Sequence, residues 1–117
     1  MKKHILLVDS DAENLSRMSQ ILRQSDYRVS VACNCGDSLD MVHSLKPDCI
    51  IFDVELNGIS GTIMYSRLRR NSQTRDIPAI VCTNAGPRPV CFGMGIPVLN
   101  KCCTCEALLG AVSAATA

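Results

Sequence analysis

Short apolar runs punctuate the chain, and each is cut off by a polar or loop-forming residue. The first, His4–Val8 (HILLV), stops at Asp9-Ser10-Asp11. Unbroken apolar character over so few residues predicts a strand buried on both faces. Arg28–Cys33 (RVSVAC) alternates and is rich in Val, which predicts a second strand. Cys49–Phe52 (CIIF) is a third run and stops at Asp53. Ile77–Thr83 (IPAIVCT) is a fourth, and Ile96–Asn100 a weaker fifth.

Helical patterns fill most of the gaps. Ser10 and Glu13 form S-x-x-E, a capping box, ahead of a stripe of Leu15, Met18, Ile21 and Leu22 that reaches about Ser25. Gly36 breaks the chain, Asp37 or Ser38 is placed to cap a second helix, and Pro47 ends it. Its expected buried stripe is Leu39, Val42 and Leu45. Asn57-Gly58 and Gly61 mark a loop. A third helix then spans Thr62–Asn71, with Ile63, Met64 and Leu68 inward and Arg67, Arg69 and Arg70 on the surface. Glu106–Ala115 is an Ala/Leu helix. The stretch Asn84–Gly95 is different, because it holds Pro87, Pro89, Gly86, Gly93 and Gly95. An interior Pro costs a helix about 3 kcal/mol and a Gly about 1 kcal/mol, so a short, broken or absent helix is expected there. Strands alternating with helices define an α/β domain with a parallel sheet covered on both faces, one domain over residues 1–117.

Composition narrows the class. Hydrophobic residues make up 47% of the 117, which suits a packed core rather than disorder. Aromatics are only 3% and Trp is absent, so the core must be aliphatic. A net charge of +1 gives no broad footprint for nucleic acid. The apolar runs fall short of the roughly 20 residues of a membrane span and the roughly 7–15 of an export signal, so the expected location is cytoplasmic. The chain has 8 Cys at irregular spacing. Cys49 and Cys82 fall inside strands, where Cys acts as a small hydrophobe.

In an open parallel sheet, ligands bind beyond the carboxyl ends of the strands at the switch point. In the flavodoxin-like, doubly wound order 2-1-3-4-5, the first and third strands are neighbours. Asp9 and Asp53 then share one crevice, with Thr83 ending the fourth strand and Lys101 after the fifth. Two adjacent carboxylates repel, and a divalent cation such as Mg²⁺ relieves that. The same order puts Cys33 and Cys35 at one sheet edge and Cys102, Cys103 and Cys105 at the other, about 19 Å apart at 4.8 Å per strand. A zinc site joining the two groups is thereby excluded, whereas a metal or redox site on Cys91, Cys102 and Cys105 remains open. There is no Gly-rich phosphate loop, GxGxxG or Ser-His-Asp order, so a hydrolase or nucleotide-binding enzyme is a poor reading.

The segments ILLVDSD (Ile5–Asp11), PDCIIFDVELNGISG (Pro47–Gly61), IPAIVCTN (Ile77–Asn84) and the isolated Lys101, in that order, resemble the receiver domain of two-component response regulators. The resemblance implies that Asp53 is a phosphoacceptor, attacking the phosphohistidine of a histidine kinase or phosphotransfer protein. It implies Mg²⁺ held by Asp9, Asp53 and the backbone carbonyl of Glu55, with Ser10 or Asp11 as a further candidate. Thr83 would hydrogen-bond one phosphoryl oxygen and Lys101 would pair with another. It implies a signalling domain rather than an enzyme with a separate substrate. Its output would run through a downstream protein partner, with no direct contact to nucleic acid or membrane.

Four positions depart from the family pattern. Ser10 stands where the family has its second acid, which lowers the expected Mg²⁺ affinity; Asp11 is expected in the first helical turn, favoured by the macrodipole. Cys102 follows Lys101 where the family has a proline after a cis bond; cis before a non-proline costs about 3–4 kcal/mol, so a trans bond and a different aim for Lys101 are expected. Val98 stands at the aromatic switch position, and the fourth helix is interrupted. These departures define an alternative: a pseudo-receiver acting as a phosphorylation-independent protein-interaction module.

Overall fold

The computed structural model of the protein describes residues 2–54, 56, 61–83, 96–101 and 103–117. Its strands are β1 (His4–Val8), β2 (Arg28–Ala32), β3 (Cys49–Phe52), β4 (Ala79–Thr83) and β5 (Val98–Asn100). Its helices are α1 (Ala12–Gln24), α2 (Cys35–Leu45), α3 (Gly61–Arg70) and α4 (Cys105–Ala115). All strand pairs are parallel, in the order β2-β1-β3-β4-β5, which is the doubly wound arrangement expected. The segment 84–95, where a short, broken or absent helix is expected, lies outside the described residues.

Strand alternation divides the core in two. Leu6, Val8, Ile50, Phe52, Ala79 and Val81 point to the face covered by α2 and α3, meeting Val42, Met64 and Leu68. Ile5, Leu7, Cys49, Ile51, Ile80 and Cys82 point to the other face, meeting Leu15, Met18 and Leu22 of α1 and Leu108 and Val112 of α4. Each fully buried aliphatic side chain contributes about 1.5–3 kcal/mol, so β1, β3 and β4 anchor the domain from both sides. Phe52 stacks on Tyr65 with centroids 5.8 Å apart.

Several expected boundaries move, for physical reasons. β4 and β5 begin after Pro78 and Pro97 rather than at Ile77 and Ile96. A proline has no N–H for the ladder, so each contributes only its carbonyl, Pro78 to Ile50 and Pro97 to Val81, both at 2.9 Å. Asp11, not Ser10, is the N-cap of α1, its carboxylate accepting from the backbone N–H groups of Glu13 and Asn14. A charged cap also complements the helix dipole, which a hydroxyl does less well. Asn34, not Asp37 or Ser38, caps α2, so Gly36 sits within the helix rather than breaking it. Leu45 ends α2 and Ile63 lies about 100° around α3 from the Met64–Leu68 stripe; both are exposed rather than buried.

Lys46 closes α2 in the left-handed region at φ 47°, and Pro47 then prevents the helix from resuming. At the start of β1, the buried His4 shares a 2.7 Å hydrogen bond between Nε2 and Ser30 Oγ. Burial lowers its pKa below the ordinary 6.5, Arg28 lowers it further, and Asp48 opposes them. The unfolded chain therefore binds the His4 proton more readily. Domain stability should fall as pH drops through the region around 6.5, and His4→Gln should flatten that slope in urea titrations. An equal slope in His4→Gln would assign it to other groups.

Candidate functional site

The parallel register places the acidic pair. Val8 of β1 pairs with Phe52 of β3, so the next residues, Asp9 and Asp53, leave the sheet side by side. Their backbones are fixed by the same ladder: Asp9 N–H donates to Ala32 O and Asp53 N–H to Val8 O, each at 3.1 Å. One strand further, Thr83 pairs with Asn100, and Lys101 N–H donates to Thr83 O at 3.3 Å. Asp9, Asp53 and Thr83 are all buried.

Lys101 reaches into the pocket and spans both carboxylates, with Nζ 3.0 Å from Asp9 Oδ1 and 2.6 Å from Asp53 Oδ2. The three side chains are only 10%, 1% and 5% exposed for Lys101, Asp9 and Asp53. Burial pulls the Lys101 ammonium down, but its hydrogen bonds and charge interactions with Asp53 and Asp9 outweigh that and hold its pKa above the ordinary 10.5. The stabilisation is complete below 10.5 and is lost only as pH rises through the higher folded-state value. The ammonium thus stays charged across the neutral range.

Asp9 is held by more than lysine. Its Oδ1 also accepts from Asp11 N–H and its Oδ2 from Asn14 Nδ2, both at 2.9 Å. Asn14 is buried and lies on the inward face of α1 beside Leu15 and Met18. It is a pocket residue that the apolar periodicity overlooks; the signal is a polar side chain inside the apolar stripe. Ser10 is exposed and Asp11 is engaged as the helix cap. Glu55 and Cys102 lie outside the described residues. Among the described residues, no group of three or more His, Cys, Asp and Glu side chains gathers as a metal site.

Gly61, the first residue of α3, packs against the end of β3. A Cβ there would collide with Asp53 O, and Gly61 N–H donates to Val54 O at 2.9 Å. The backbone of α3 thus rests directly on the backbone of Asp53, an approach only glycine permits.

The strand cysteines are packing residues. Cys49 and Cys82 are buried, and burial pushes their thiols up to about 12 and about 11, far from reactive thiolates. Cys33 and Cys105 are exposed. Cys91 and Cys102, two of the three thiols of the open metal or redox alternative, lie outside the described residues.

A doubly wound parallel sheet with a lysine-bridged acidic pair at its switch point defines a class of α/β signalling domain. The chain belongs to the response regulator receiver domain family, whose model matches residues 5–112. It is similar to the protein PilH of Pseudomonas aeruginosa, 28% identical over 68% of this chain and 65% of PilH. It is also similar to the phosphate regulon transcriptional regulatory protein PhoB of the same species, 34% identical over 72% of this chain and 37% of PhoB. The matched stretch is thus less than two thirds of either relative's length. Among solved structures, the chemotaxis response regulator CheY4 of Vibrio cholerae superposes with a TM-score of 0.89. The two are 24% identical, with 98% of this chain and 99% of that one covered. A putative response regulator of Chloroflexus aurantiacus gives 0.88 at 24% identity over 99% and 98%. Both likenesses support the fold.

Proposed function

We propose that this receiver domain accepts a phosphoryl group on Asp53 from a phosphohistidine of a histidine kinase or phosphotransfer protein. The observation that carries the reading is the buried Asp53 carboxylate at the end of β3, with the Lys101 ammonium at 2.6 Å and Asp9 beside it. An Asp53 oxygen forms the new O–P bond as the donor's N–P bond breaks. The electron pair leaves on the imidazole nitrogen, which takes a proton from solvent. Lys101 turns from the carboxylate it now neutralises to a phosphoryl oxygen, and the Thr83 hydroxyl donates to another. Asn14 and the Asp11 N–H keep Asp9 oriented while the ammonium shifts.

The two carboxylates are hard oxygen donors and fit a divalent cation, with the Glu55 carbonyl and Ser10 or Asp11 to complete the set. Mg²⁺ bound there supplies positive charge against the phosphoryl oxygens. Lys101 already offsets part of the charge of the carboxylates that would hold it, so metal and ammonium compete for Asp9 and Asp53. Signalling then proceeds through contact with a downstream protein, from a single receiver-like domain over residues 1–117. A cytoplasmic site of action fits this reading, and no described helix is long and apolar enough to cross a membrane.

The test is incubation with Mg²⁺ and a small phosphodonor, with Asp53→Asn as control. Wild type should gain an acid-stable, base-labile phosphoryl group and Asp53→Asn should not. Folded wild type that takes no phosphate, either from the donor or from its kinase, overturns the reading. The exposed Ser10 and the exposed Val98 favour the pseudo-receiver as a second reading. That reading expects Asp53→Ala to leave partner binding intact, and loss of binding by folded Asp53→Ala would sink it.

A further inference from the structure

The segment carrying Lys101 enters α4 as Lys101-Cys102-Cys103-Thr104, without a proline. No ring restricts φ along it, so its path depends on hydrogen bonds. One is local: Cys103 N–H donates to Asn100 O at 2.9 Å, closing a turn around Lys101. The others come from α1, more than eighty residues earlier in the chain. Arg17 Nη2 donates to Lys101 O at 2.7 Å, and Arg17 Nη1 to Cys103 O at 3.4 Å. A guanidinium is always charged and presents its donors in a rigid fork, so one side chain can hold two carbonyls at a fixed spacing.

The carbonyl that Arg17 grips most closely belongs to the residue whose ammonium spans Asp9 and Asp53. Arg17 is also one helical turn from Asn14, which holds Asp9. The same face of α1 therefore steadies both sides of the ion bridge: Asn14 the carboxylate, Arg17 the backbone that delivers the lysine. We infer that Arg17 is a positioning residue for this site, setting the Lys101 backbone so that its ammonium reaches both carboxylates. Its catalytic consequence rests on the reading of Asp53 as phosphoacceptor, whereas the holding of Lys101 does not.

The experiment therefore has two arms. In the first, NMR of the Lys101 ammonium follows its proton exchange in the absence of phosphodonor. The signal should persist in wild type and in Arg23→Ala, an exposed α1 arginine 3.3 Å from Val29 O, and should broaden or vanish in Arg17→Met. Met keeps much of the aliphatic stem, and Arg17→Lys, with one ammonium for two carbonyls, should be intermediate. Arg17→Lys carries the test if Arg17→Met does not fold. In the second arm, Arg17→Met should slow Asp53 phosphorylation about tenfold, a modest cost for a misplaced group. The same substitution in a Lys101→Met background should cost nothing further. An unchanged ammonium signal in folded Arg17→Met overturns the inference, as does an equal rate loss with and without Lys101. If wild type itself takes no phosphate, the phosphoacceptor reading fails, and the ammonium arm still decides whether Arg17 holds the lysine.

Discussion

Lys101→Met is expected to lower the unfolding free energy by about 3–5 kcal/mol at neutral pH, the range for removing one partner of a buried ion pair. Nζ touches Asp9 and Asp53 at once, and neither carboxylate has more than 5% of its side chain exposed. Without the ammonium, two buried negative charges face each other and lose the cation that offsets their desolvation. Methionine keeps the length of the stem, so lost packing contributes little. The double variant Lys101→Met/Asp53→Asn should recover most of the loss, because it restores the pocket's net charge. Millimolar Mg²⁺ should raise the melting temperature of Lys101→Met more than that of wild type, since the ammonium no longer competes for the carboxylates. Urea unfolding of the four proteins of this cycle checks the claim. A Lys101→Met variant within about 0.5 kcal/mol of wild type, the ordinary surface range, would contradict it.

Gly61→Ala is expected to destabilise the domain by about 3 kcal/mol, the upper part of the range for overpacking. The added Cβ would collide with Asp53 O and meet Asp53 C at 2.9 Å and Phe52 Cδ2 at 3.0 Å. The first two are backbone atoms that cannot rotate away, so α3 or the end of β3 must shift. A shift at the end of β3 moves the Asp53 carboxylate relative to Lys101, so phosphorylation should fall with stability. Gly110 is the control, because a Cβ there meets nothing within 4 Å on an exposed position of α4. Gly110→Ala should stabilise by about 0.5–1 kcal/mol through reduced backbone entropy in the unfolded chain. If the two variants melt alike, the close approach at Gly61 does not constrain the site.

The parts of this architecture that the sequence makes legible are those decided locally. β1, β3 and β4 are continuous apolar runs because they are buried from both sides, and a charged or hydroxyl residue marks where each leaves the sheet. Once the strand order is assumed, Asp9, Asp53, Thr83 and Lys101 fall together at the carboxyl ends of their strands. Less legible is competition among equivalent local signals. Ser10 and Asp11 are both good caps in sequence, and the choice turns on the Asp9 carboxylate accepting the Asp11 N–H, which sets where α1 begins. Asn34 likewise outcompetes Asp37 and Ser38, while Ser38 Oγ is drawn inward to Cys35 O and Met64 Sδ. Arg17 is illegible for another reason. Its partners lie far along the chain, and a half-buried arginine at the margin of a helix's apolar stripe carries no sign of what it reaches.

Chemical mapping of the phosphorylated residue tests the central claim most directly. Wild type is exposed to Mg²⁺ and a small phosphodonor, trapped with borohydride, which reduces an acyl phosphate to the alcohol, and digested for mass spectrometry. The reduced side chain is expected at position 53 and at no other carboxylate, and it should be absent from unexposed protein. Reduction at Asp9 or Asp11 instead, or none in folded protein that binds Mg²⁺, would contradict the assignment of Asp53 as the acceptor.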